Sequence, residues 1–274
     1  MPGHFRSPAK IWRRLRLLPE ARREIKNWPS FISNYAFGFA PRRPYRFRNG
    51  ALLKLDRAID HVPIVEIFLR KDYGTLPDRM VVVDLGANIG TFSIYAATTA
   101  RHCRVFAYEP WKPFFQQLRE NVALNEGENV IRCFNSAVAA EETTRKLYVE
   151  GSNLYFPTLI DSGGASPGGQ AVPCTTLVNI MDANRLERID LLKMDCEGAE
   201  YEILYPTPET YFGRISEIRM EYHDLDADQR NVRQLQTFLE KMGYEITSRQ
   251  SMSPINGTIW AKRLPKAPQP NLHP

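Results

Sequence analysis

From residue 80 onwards, short and almost purely apolar segments alternate with segments of helical hydrophobic spacing, and glycine turns separate them. The apolar segments include MVVVDLG, CRVFAYEP, DLLKMDCEG and EIRMEYH. Strands with so little polar alternation are typical of a parallel sheet that helices cover on both faces. The sequence therefore predicts an α/β fold with a Rossmann-like, mostly parallel sheet.

The rhythm changes near the end of the chain. One helical segment is followed by two strand-like segments, YEITSRQ and GTIWAKRL, with the short link SMSPIN between them. A connection this short makes the two strands antiparallel neighbours, because parallel neighbours need a much longer crossover. We therefore expect an antiparallel hairpin at the end of the parallel sheet.

A basic arm precedes the sheet. Residues 1–48 hold 12 Lys and Arg and two Glu, which leaves 24 basic and 29 acidic residues in the rest of the chain. Over residues 11–28, apolar residues at helical spacing alternate with Arg, and Pro19 interrupts the pattern. We expect two short amphipathic helices. They either attach to an anionic membrane surface or an acidic partner, or pack on the body with a solvated basic face.

Other segments complete the predicted organisation. Asn49-Gly50 is a strong hairpin signal, and a helical pattern follows it and ends at Gly74. A Gly- and Ser-rich loop over residues 150–172 is either a functional lid or disordered. The predicted parts are an arm over 1–44, a hairpin and helix that cover the core over 45–79, a main domain over 80–264, and a disordered proline-rich tail over 265–274.

Cysteine usage and hydropathy bear on the compartment. The four cysteines stand far apart, with no CxxC pair and no His at zinc-finger spacing. Neither a disulfide framework nor a structural zinc site is indicated, so we interpret all four as reduced thiols. No apolar run approaches the roughly 18–20 residues that span a bilayer, and the N-terminus lacks the apolar segment of a secretory signal. We expect a cytoplasmic protein that is at most peripheral to a membrane.

The turn after the first core strand carries the first chemical signal. In VVVDLGANIGTF, Asp84 stands at the strand end, Gly86 and Gly90 lie in the turn, and Asn88 stands between them. The glycines let backbone approach a ligand, and the next helix begins with unpaired N–H groups. The middle glycine of a dinucleotide fingerprint is missing, and the acid repels a pyrophosphate but suits an ammonium group. This pattern indicates S-adenosylmethionine (SAM), which carries an amine and a cationic sulfur.

Two further strand ends predict nucleotide contacts. Glu109 ends the next strand about 20 residues after the glycine turn, where an acid accepts hydrogen bonds from both ribose hydroxyls. The following strand ends in Asn135-Ser136-Ala137, where a small polar residue meets the adenine. We therefore predict Glu109, Ser136 and Ala137 as further SAM-binding residues.

The segment DLLKMDCEGAEYEIL places four acids directly after an apolar strand. At the carboxyl end of a parallel strand, Asp195 reaches the crevice where open α/β sheets bind ligands, close to the predicted sulfonium. Glu197, Glu200 and Tyr201 follow at helical spacing on one face, and we expect them to contact an acceptor. Two alternatives stay open: a magnesium ion among Asp195, Glu197 and Glu200, or acids that the helix dipole merely stabilises.

The next strand, EIRMEYH, ends with Glu221 and His223 on the same side of the chain. Beside Asp195, a histidine can take the proton of an alcohol, and a nearby carboxylate raises its basicity. We therefore predict Asp195, Glu197, Glu221 and His223 as the residues that act in methyl transfer to oxygen. The alternative for His223 is a surface residue without a chemical role.

In order and spacing, VDLGANIGTFS, YEPWKPFFQQLRENVALN, IDLLKMDCEGAEYEIL and EYH resemble the FkbM family of SAM-dependent methyltransferases, over about residues 80–225. The resemblance implies a class I methyltransferase fold, SAM as methyl donor and a hydroxyl acceptor on a sugar, polyketide or other secondary metabolite. Cys196 stands where the family more often has an aliphatic residue. The matched positions imply a SAM turn at Asp84, Gly86, Asn88 and Gly90, a ribose acid at Glu109, and a signature at Asp195, Glu197, Gly198 and Glu200.

Two other functions stay open. The basic arm favours a nucleic-acid methyltransferase, but an amino methyltransferase of that kind carries Asn/Asp-Pro-Pro-aromatic after strand four and a cytosine C5 enzyme carries Pro-Cys, whereas this chain has MDCEG. An acidic substrate side also repels phosphate. The other alternative is a non-catalytic SAM-binding module or membrane-surface adaptor. The sequence leaves the acceptor and the oligomeric state undefined.

Overall fold

The computed structural model describes residues 8–147 and 169–265. The strands are β1 Tyr45–Arg46, β2 Leu52–Leu53, β3 Val81–Leu85, β4 Arg104–Tyr108, β5 Ile131–Phe134, β6 Ala137–Val138, β7 Thr143–Leu147, β8 Gln170–Thr175, β9 Leu191–Met194, β10 Glu217–His223, β11 Tyr244–Ser251 and β12 Asn256–Arg263. The helices are α1 Pro8–Leu15, α2 Leu18–Glu24, α3 Trp28–Phe37, α4 His61–Ile64, α5 Thr91–Thr99, α6 Lys112–Leu124, α7 Leu177–Ala183, α8 Glu200–Leu204, α9 Glu209–Phe212 and α10 Val232–Lys241. A 3-10 turn, Ala58–Asp60, precedes α4, and a π-helical segment, Val65–Arg70, follows it.

The central sheet has the strand order β11-β12-β10-β9-β3-β4-β5. Strands β5, β4, β3, β9 and β10 are parallel, β12 is antiparallel to β10, and β11 is antiparallel to β12. This topology confirms the predicted parallel sheet with a C-terminal antiparallel hairpin. It also places the carboxyl ends of β3, β9 and β10 side by side, because these three strands are neighbours.

Both faces of the sheet are buried, as the apolar strands predict. Successive residues of a strand point to opposite faces. In β3, Val82 joins a core cluster with α5, α6 and the N-terminal elements. Val81 and Val83 join a second cluster with residues of α7, α8, α9 and α10. A strand that packs against helices on both sides has no solvent face, which explains why it carries so few polar residues.

The N-terminal elements pack on the first of these clusters. Ala21, Ile25 and Phe31, from α2, α3 and the link between them, are all fully buried. Pro19 stands in the first turn of α2, where a missing N–H costs nothing, so it begins that helix. The two predicted short helices are therefore present as α1 and α2, but α3 was not predicted.

The segment after the arm agrees with its prediction in part. Strands β1 and β2 form the predicted antiparallel hairpin. The helical segment behind it ends at Arg70, where Lys71 takes the left-handed conformation, and not at Gly74 as the sequence indicated.

None of the helices within the described ranges is long and apolar enough to cross a bilayer. All four cysteines are free thiols.

A small second sheet was missed by the sequence reading. Strand β8 pairs with β6 in parallel and with β7 in antiparallel orientation. The loop that was expected over residues 150–172 therefore ends earlier, because Gln170 already belongs to β8. Its remaining part before residue 169 lies outside the described residues, as does the predicted tail after residue 265.

We expect Gly86→Ala to destabilise the fold far more than Gly50→Ala. Both glycines have positive φ, but an added Cβ at Gly86 would lie 1.8 Å from the carbonyl oxygen of Asp195, whereas nothing lies within 4 Å at Gly50. Urea unfolding should show a loss of roughly 1–2 kcal/mol for Gly50→Ala from the backbone strain alone. Overpacking raises the expected loss for Gly86→Ala to roughly 3–4 kcal/mol. Equal losses would contradict this close approach of the two strand ends.

Candidate active site

A cavity of about 460 Å³ lies at the carboxyl ends of the parallel strands. This volume is in the range of pockets that bind small molecules. We call its two parts the turn half and the acidic half. The turn half is lined by Gly86, Asn88, Tyr108, Glu109, Pro110, Ser136, Ala137 and Val138. The acidic half is lined by Glu66, Asp195, Cys196, Glu197, Glu221, His223, Met252 and Asn256.

The glycine turn is held by backbone hydrogen bonds to the neighbouring strand. The N–H groups of Gly86 and Ala87 both donate to the Tyr108 carbonyl, each at 3.0 Å. Asn88 takes the left-handed conformation, and its side-chain oxygen accepts the N–H of Ile89 at 2.8 Å, just before α5 begins. These hydrogen bonds therefore fix the turn at the edge of the cavity. The turn has no large side chains that would fill the cavity.

Glu109 faces the same half of the cavity and is only 5% exposed. One carboxylate oxygen accepts the N–H of Asn88 at 2.8 Å and the other accepts the N–H of Trp111 at 2.7 Å. Burial raises the pKa of Glu109 to about 7, against the opposing effect of these two donors. Each oxygen can accept a further hydrogen bond, so the carboxylate fits a pair of hydroxyl groups, as a ribose offers.

Asp84 does not line the cavity, which corrects its predicted direct contact with a ligand ammonium. Its side chain is fully buried, accepts the Ser93 hydroxyl at 2.7 Å and pairs with Lys193 Nζ at 3.0 Å. Lys193 also donates to the Gly86 carbonyl at 3.0 Å. Asp84 thus supports the turn through Lys193. Gly90 likewise lies behind the wall, where an added Cβ would meet Leu118 Cδ1 at 2.5 Å.

The predicted adenine end lies in the turn half. Ser136 and Ala137 both line it. The Ser136 hydroxyl lies 2.9 Å from the carbonyl of Ala137 and 3.0 Å from that of Pro173, and its single hydrogen is donated to one of them. Asn135 donates to the carbonyls of Glu109 and Pro110, both at 2.9 Å. Asn135 therefore fixes the loop that carries Glu109.

The acidic half gathers side chains from β10 and from the exit of β9. His223 Nε2 lies 3.6 Å from Glu197 and 3.7 Å from Glu221. Its Nδ1 lies 3.3 Å from Glu200 Oε1. Asn256, on β12, donates to Glu221 at 3.0 Å. The predicted neighbours Asp195, Glu197, Glu221 and His223 all line one part of the cavity.

This crowding of acids shifts the titration of the group. Burial lowers the pKa of His223, but the hydrogen bond to Glu200 and the surrounding carboxylate charges outweigh it and raise the pKa to about 9. Burial and then the charge of Asp195 raise the pKa of Glu197 and Glu221 to about 8 each. Burial raises the pKa of Asp195, while Lys193 and His223 oppose that rise. At neutral pH the imidazole is therefore mostly protonated, and these groups exchange protons as a unit.

Glu200 and Tyr201 do not face the cavity, which corrects their predicted contact with an acceptor. Glu197 has φ +51 and precedes α8, so the three residues do not share one helical face. Glu200 is fully buried, and it accepts the N–H groups of Cys196 and Gly198 as well as contacting His223. It is a positioning residue. Tyr201 is 2% exposed and packs in the second core cluster.

Sequence reasoning missed two residues of the site, and each has a signal in hindsight. Glu66, on the π-helical segment, enters the acidic half from the N-terminal side and lies near Arg70 at 3.5 Å. Burial and the charge of Asp195 raise its pKa to about 7. Lys193 is a single charge inside a strand that is otherwise apolar. A buried charged side chain in an apolar segment needs a partner of opposite charge. Glu66 has Arg70, and Lys193 has Asp84.

The acids of the cavity are not arranged as a metal site. No group of three or more His, Cys, Asp and Glu side chains in residues 8–147 and 169–265 is placed to hold a metal ion. The magnesium alternative for Asp195, Glu197 and Glu200 therefore has no support there.

The chain is similar to several known proteins. The family model of the methyltransferase FkbM domain matches residues 84–246. The chain is 27% identical over 210 residues to methyltransferase sdnD of Sordaria araneosa, covering 64% of this chain and 78% of that protein. It is 28% identical over 224 residues to the AMB antimetabolite synthetase AmbE of Pseudomonas aeruginosa, covering 68% of this chain and 10% of that protein. A solved methyltransferase FkbM from Methylobacillus flagellatus KT shares the fold, with a TM-score of 0.51, 13% identity, and coverage of 92% of this chain and 60% of that one.

We expect Lys193→Met to destabilise the protein by about 3–5 kcal/mol, because it leaves the buried Asp84 carboxylate without its cation. Urea unfolding measures the loss. The double variant Asp84→Asn/Lys193→Met removes both charges and should lose clearly less than the single variant. If the single and double variants lose the same stability, the buried ion pair does not hold the turn.

Proposed function

We propose, since the chain belongs to the FkbM family of SAM-dependent methyltransferases, that it methylates a hydroxyl group of a sugar or secondary metabolite. The observation that carries the proposal is the cavity itself, in which a nucleotide-type turn and Glu109 stand on one side and Asp195, Glu221 and His223 on the other. Cofactor and acceptor then meet at the carboxyl ends of β3, β9 and β10.

The turn half fits SAM. Glu109 offers its two carboxylate oxygens to the ribose hydroxyls, and Gly86 and Asn88 leave room beside the turn. Tyr108 and Val138, with Ser136 and Ala137, provide the more apolar end that an adenine ring requires. When bound, SAM supplies a methyl group on a positively charged sulfur. The carboxylate of Asp195 favours a positive charge near the centre of the cavity.

The acidic half orients and deprotonates the acceptor. Methyl transfer to oxygen requires a hydroxyl that is held in position and loses its proton as the new bond forms. Asp195, Glu197 and Glu221 can each accept a hydrogen bond from a hydroxyl, and together with His223 they form a group that takes up one proton near neutral to alkaline pH. Glu200 holds the His223 ring from behind.

The charge of this half restricts the acceptor. Glu66, Asp195, Glu197 and Glu221 face the space, with His223 as their cationic neighbour in the wall. Above about pH 8, where these acids carry most of their negative charge, such a wall repels phosphate and carboxylate groups and accepts neutral or positively charged hydroxyl compounds. This argues against a nucleic-acid acceptor. The similarity to a protein named as an antimetabolite synthetase supports a secondary metabolite as the acceptor.

Incubation of the protein with methyl-labelled SAM and a panel of sugars and metabolite extracts tests the function. We expect a labelled product whose methyl group is bound to oxygen.

Asp195→Asn should lower turnover at least about tenfold while SAM still binds. Glu109→Gln should instead weaken SAM affinity by about tenfold or more in calorimetry, since it removes a charged hydrogen-bond acceptor. The control is Glu120→Gln, an acid at the surface. Full turnover by Asp195→Asn would refute the role of that residue.

The rate of methyl transfer should rise with pH between about 7 and 9 and then level off. The proton of the acceptor goes to the cluster formed by Glu197, Glu221 and His223. The pKa values in this cluster are about 8 for the two carboxyl groups and about 9 for the imidazole. Glu221→Gln removes a charge that raises the pKa of both Glu197 and His223, so the midpoint should move to lower pH. Glu245→Gln, on the exposed part of β11, is the control. A midpoint that moves upward in Glu221→Gln contradicts the proposed cluster.

A further inference from the structure

The helices α1–α3 bury one face and leave another in solvent. Ala21, Ile25 and Phe31 on the inner side are fully buried. On the outer side Trp12 is 71% exposed, Phe37 45% and Leu18 40%. Such large apolar side chains in solvent are ordinary when they are scattered singly. Here they occur on three consecutive helices, and residues 8–37 hold seven Lys and Arg against two Glu.

The outer face is strongly basic. Trp12 and Arg13 of α1, and Arg16 directly after its end, are exposed, while Leu15 is half-buried and packs on the core. Residues 1–48 contain only two acids, and one of them, Glu24, pairs with Arg23 and with Lys71. The exposed basic residues of the described arm are Arg13, Arg16, Arg22, Arg23, Lys26, Arg42 and Arg43.

The inner face of the same helices packs on the outside of the cavity wall. The rings of Phe31 and Tyr35, on α3, lie 5.5 and 5.8 Å from the ring of His61. His61 also forms a 2.8 Å hydrogen bond with the Tyr45 hydroxyl. His61 begins α4, and the next two residues of that helix line the cavity. The outer face of the arm and the wall of the cavity are thus two sides of one packed layer.

We propose that the outer face of α1–α3 docks on an anionic membrane surface. Indole and phenyl rings settle at the boundary between headgroups and acyl chains, and Arg side chains reach anionic headgroups while their stems stay in apolar surroundings. Each Lys or Arg near such a surface adds to the attraction, and salt weakens it. Charge complementarity favours this occupant, because the face combines basic side chains with the exposed rings of Trp12 and Phe37. Docking would hold the cavity wall close to the bilayer.

Sedimentation of the purified full chain with vesicles tests the proposal without SAM or acceptor, so its outcome is independent of the methyltransferase assay. Vesicles of phosphatidylcholine with about a third phosphatidylserine should bind the protein, and pure phosphatidylcholine vesicles should bind it at least about tenfold more weakly. Binding should fall as salt rises. Equal binding to both vesicle types, or binding to neither, overturns the proposal.

Two variants locate the surface. Arg13→Glu/Arg16→Glu and Trp12→Ser/Phe37→Ser should each weaken vesicle binding at least about tenfold. The matched controls change exposed residues elsewhere. They are Arg104→Glu, at the first residue of β4, and Leu264→Ser, at a leucine that is 51% exposed. Both controls should bind like the unmodified chain. Unchanged melting temperatures show that the variants fold.

The other occupants of this face are distinguished by the same proteins. If Trp12→Ser/Phe37→Ser converts a dimer to a monomer in gel filtration while vesicle binding stays constant, the face binds a second copy of the chain and the membrane proposal is wrong. If the arm variants bind vesicles as tightly as the controls do, another part of the chain makes the contact, and the proposal is also wrong.

Discussion

A buried ion pair between neighbouring strands holds the site together. Lys193 on β9 pairs with Asp84 on β3, and it also donates to the carbonyl of Gly86. Burial of two charges is costly unless their remaining donors and acceptors are also satisfied, which Ser93 helps to achieve. The pair fixes the glycine turn against the exit of β9, and this contact leaves no room for a side chain at Gly86. The positions of Glu109 and Asp195 on the two sides of the cavity depend on it.

The two halves of the cavity differ in how their charges are satisfied. In the turn half, Glu109 is held by backbone donors on both oxygens, so its position is set before any ligand arrives. In the acidic half, Glu197 and Glu221 both lie within 3.7 Å of the imidazole of His223. The turn half is therefore held rigid before a ligand binds, whereas the groups of the acidic half influence one another's proton affinity. In the proposed reaction, the turn half would bind SAM and the acidic half would take the proton of the acceptor hydroxyl.

The sequence predicted the central sheet and the strand-end residues because parallel strands impose a strict pattern. Apolar strands and polar exits are local, and the sheet then brings Glu109, Asp195 and His223 to one edge. Contacts that depend on packing between distant segments were not visible. The sequence predicted that Asp84 contacts a ligand. In the structure its carboxylate pairs with Lys193, more than a hundred residues later in the chain. Glu66 reaches the cavity only because the N-terminal elements fold over the sheet, and Tyr201 points inward because α8 begins later than the spacing implied.

The cavity draws walls from both ends of the chain. The FkbM match covers residues 84–246, yet Glu66 lies before that stretch and Met252 and Asn256 lie after it. The matched stretch holds the whole turn half and also Asp195, Glu197, Glu221 and His223, whereas the flanking residues complete the wall of the acidic half. An excised 84–246 fragment would lose residues 81–83 of β3 and all of β12, and therefore part of the sheet below the cavity as well as these walls. Exchange of the flanks between relatives would therefore change the wall of the acidic half while the ends of β9 and β10 stay the same.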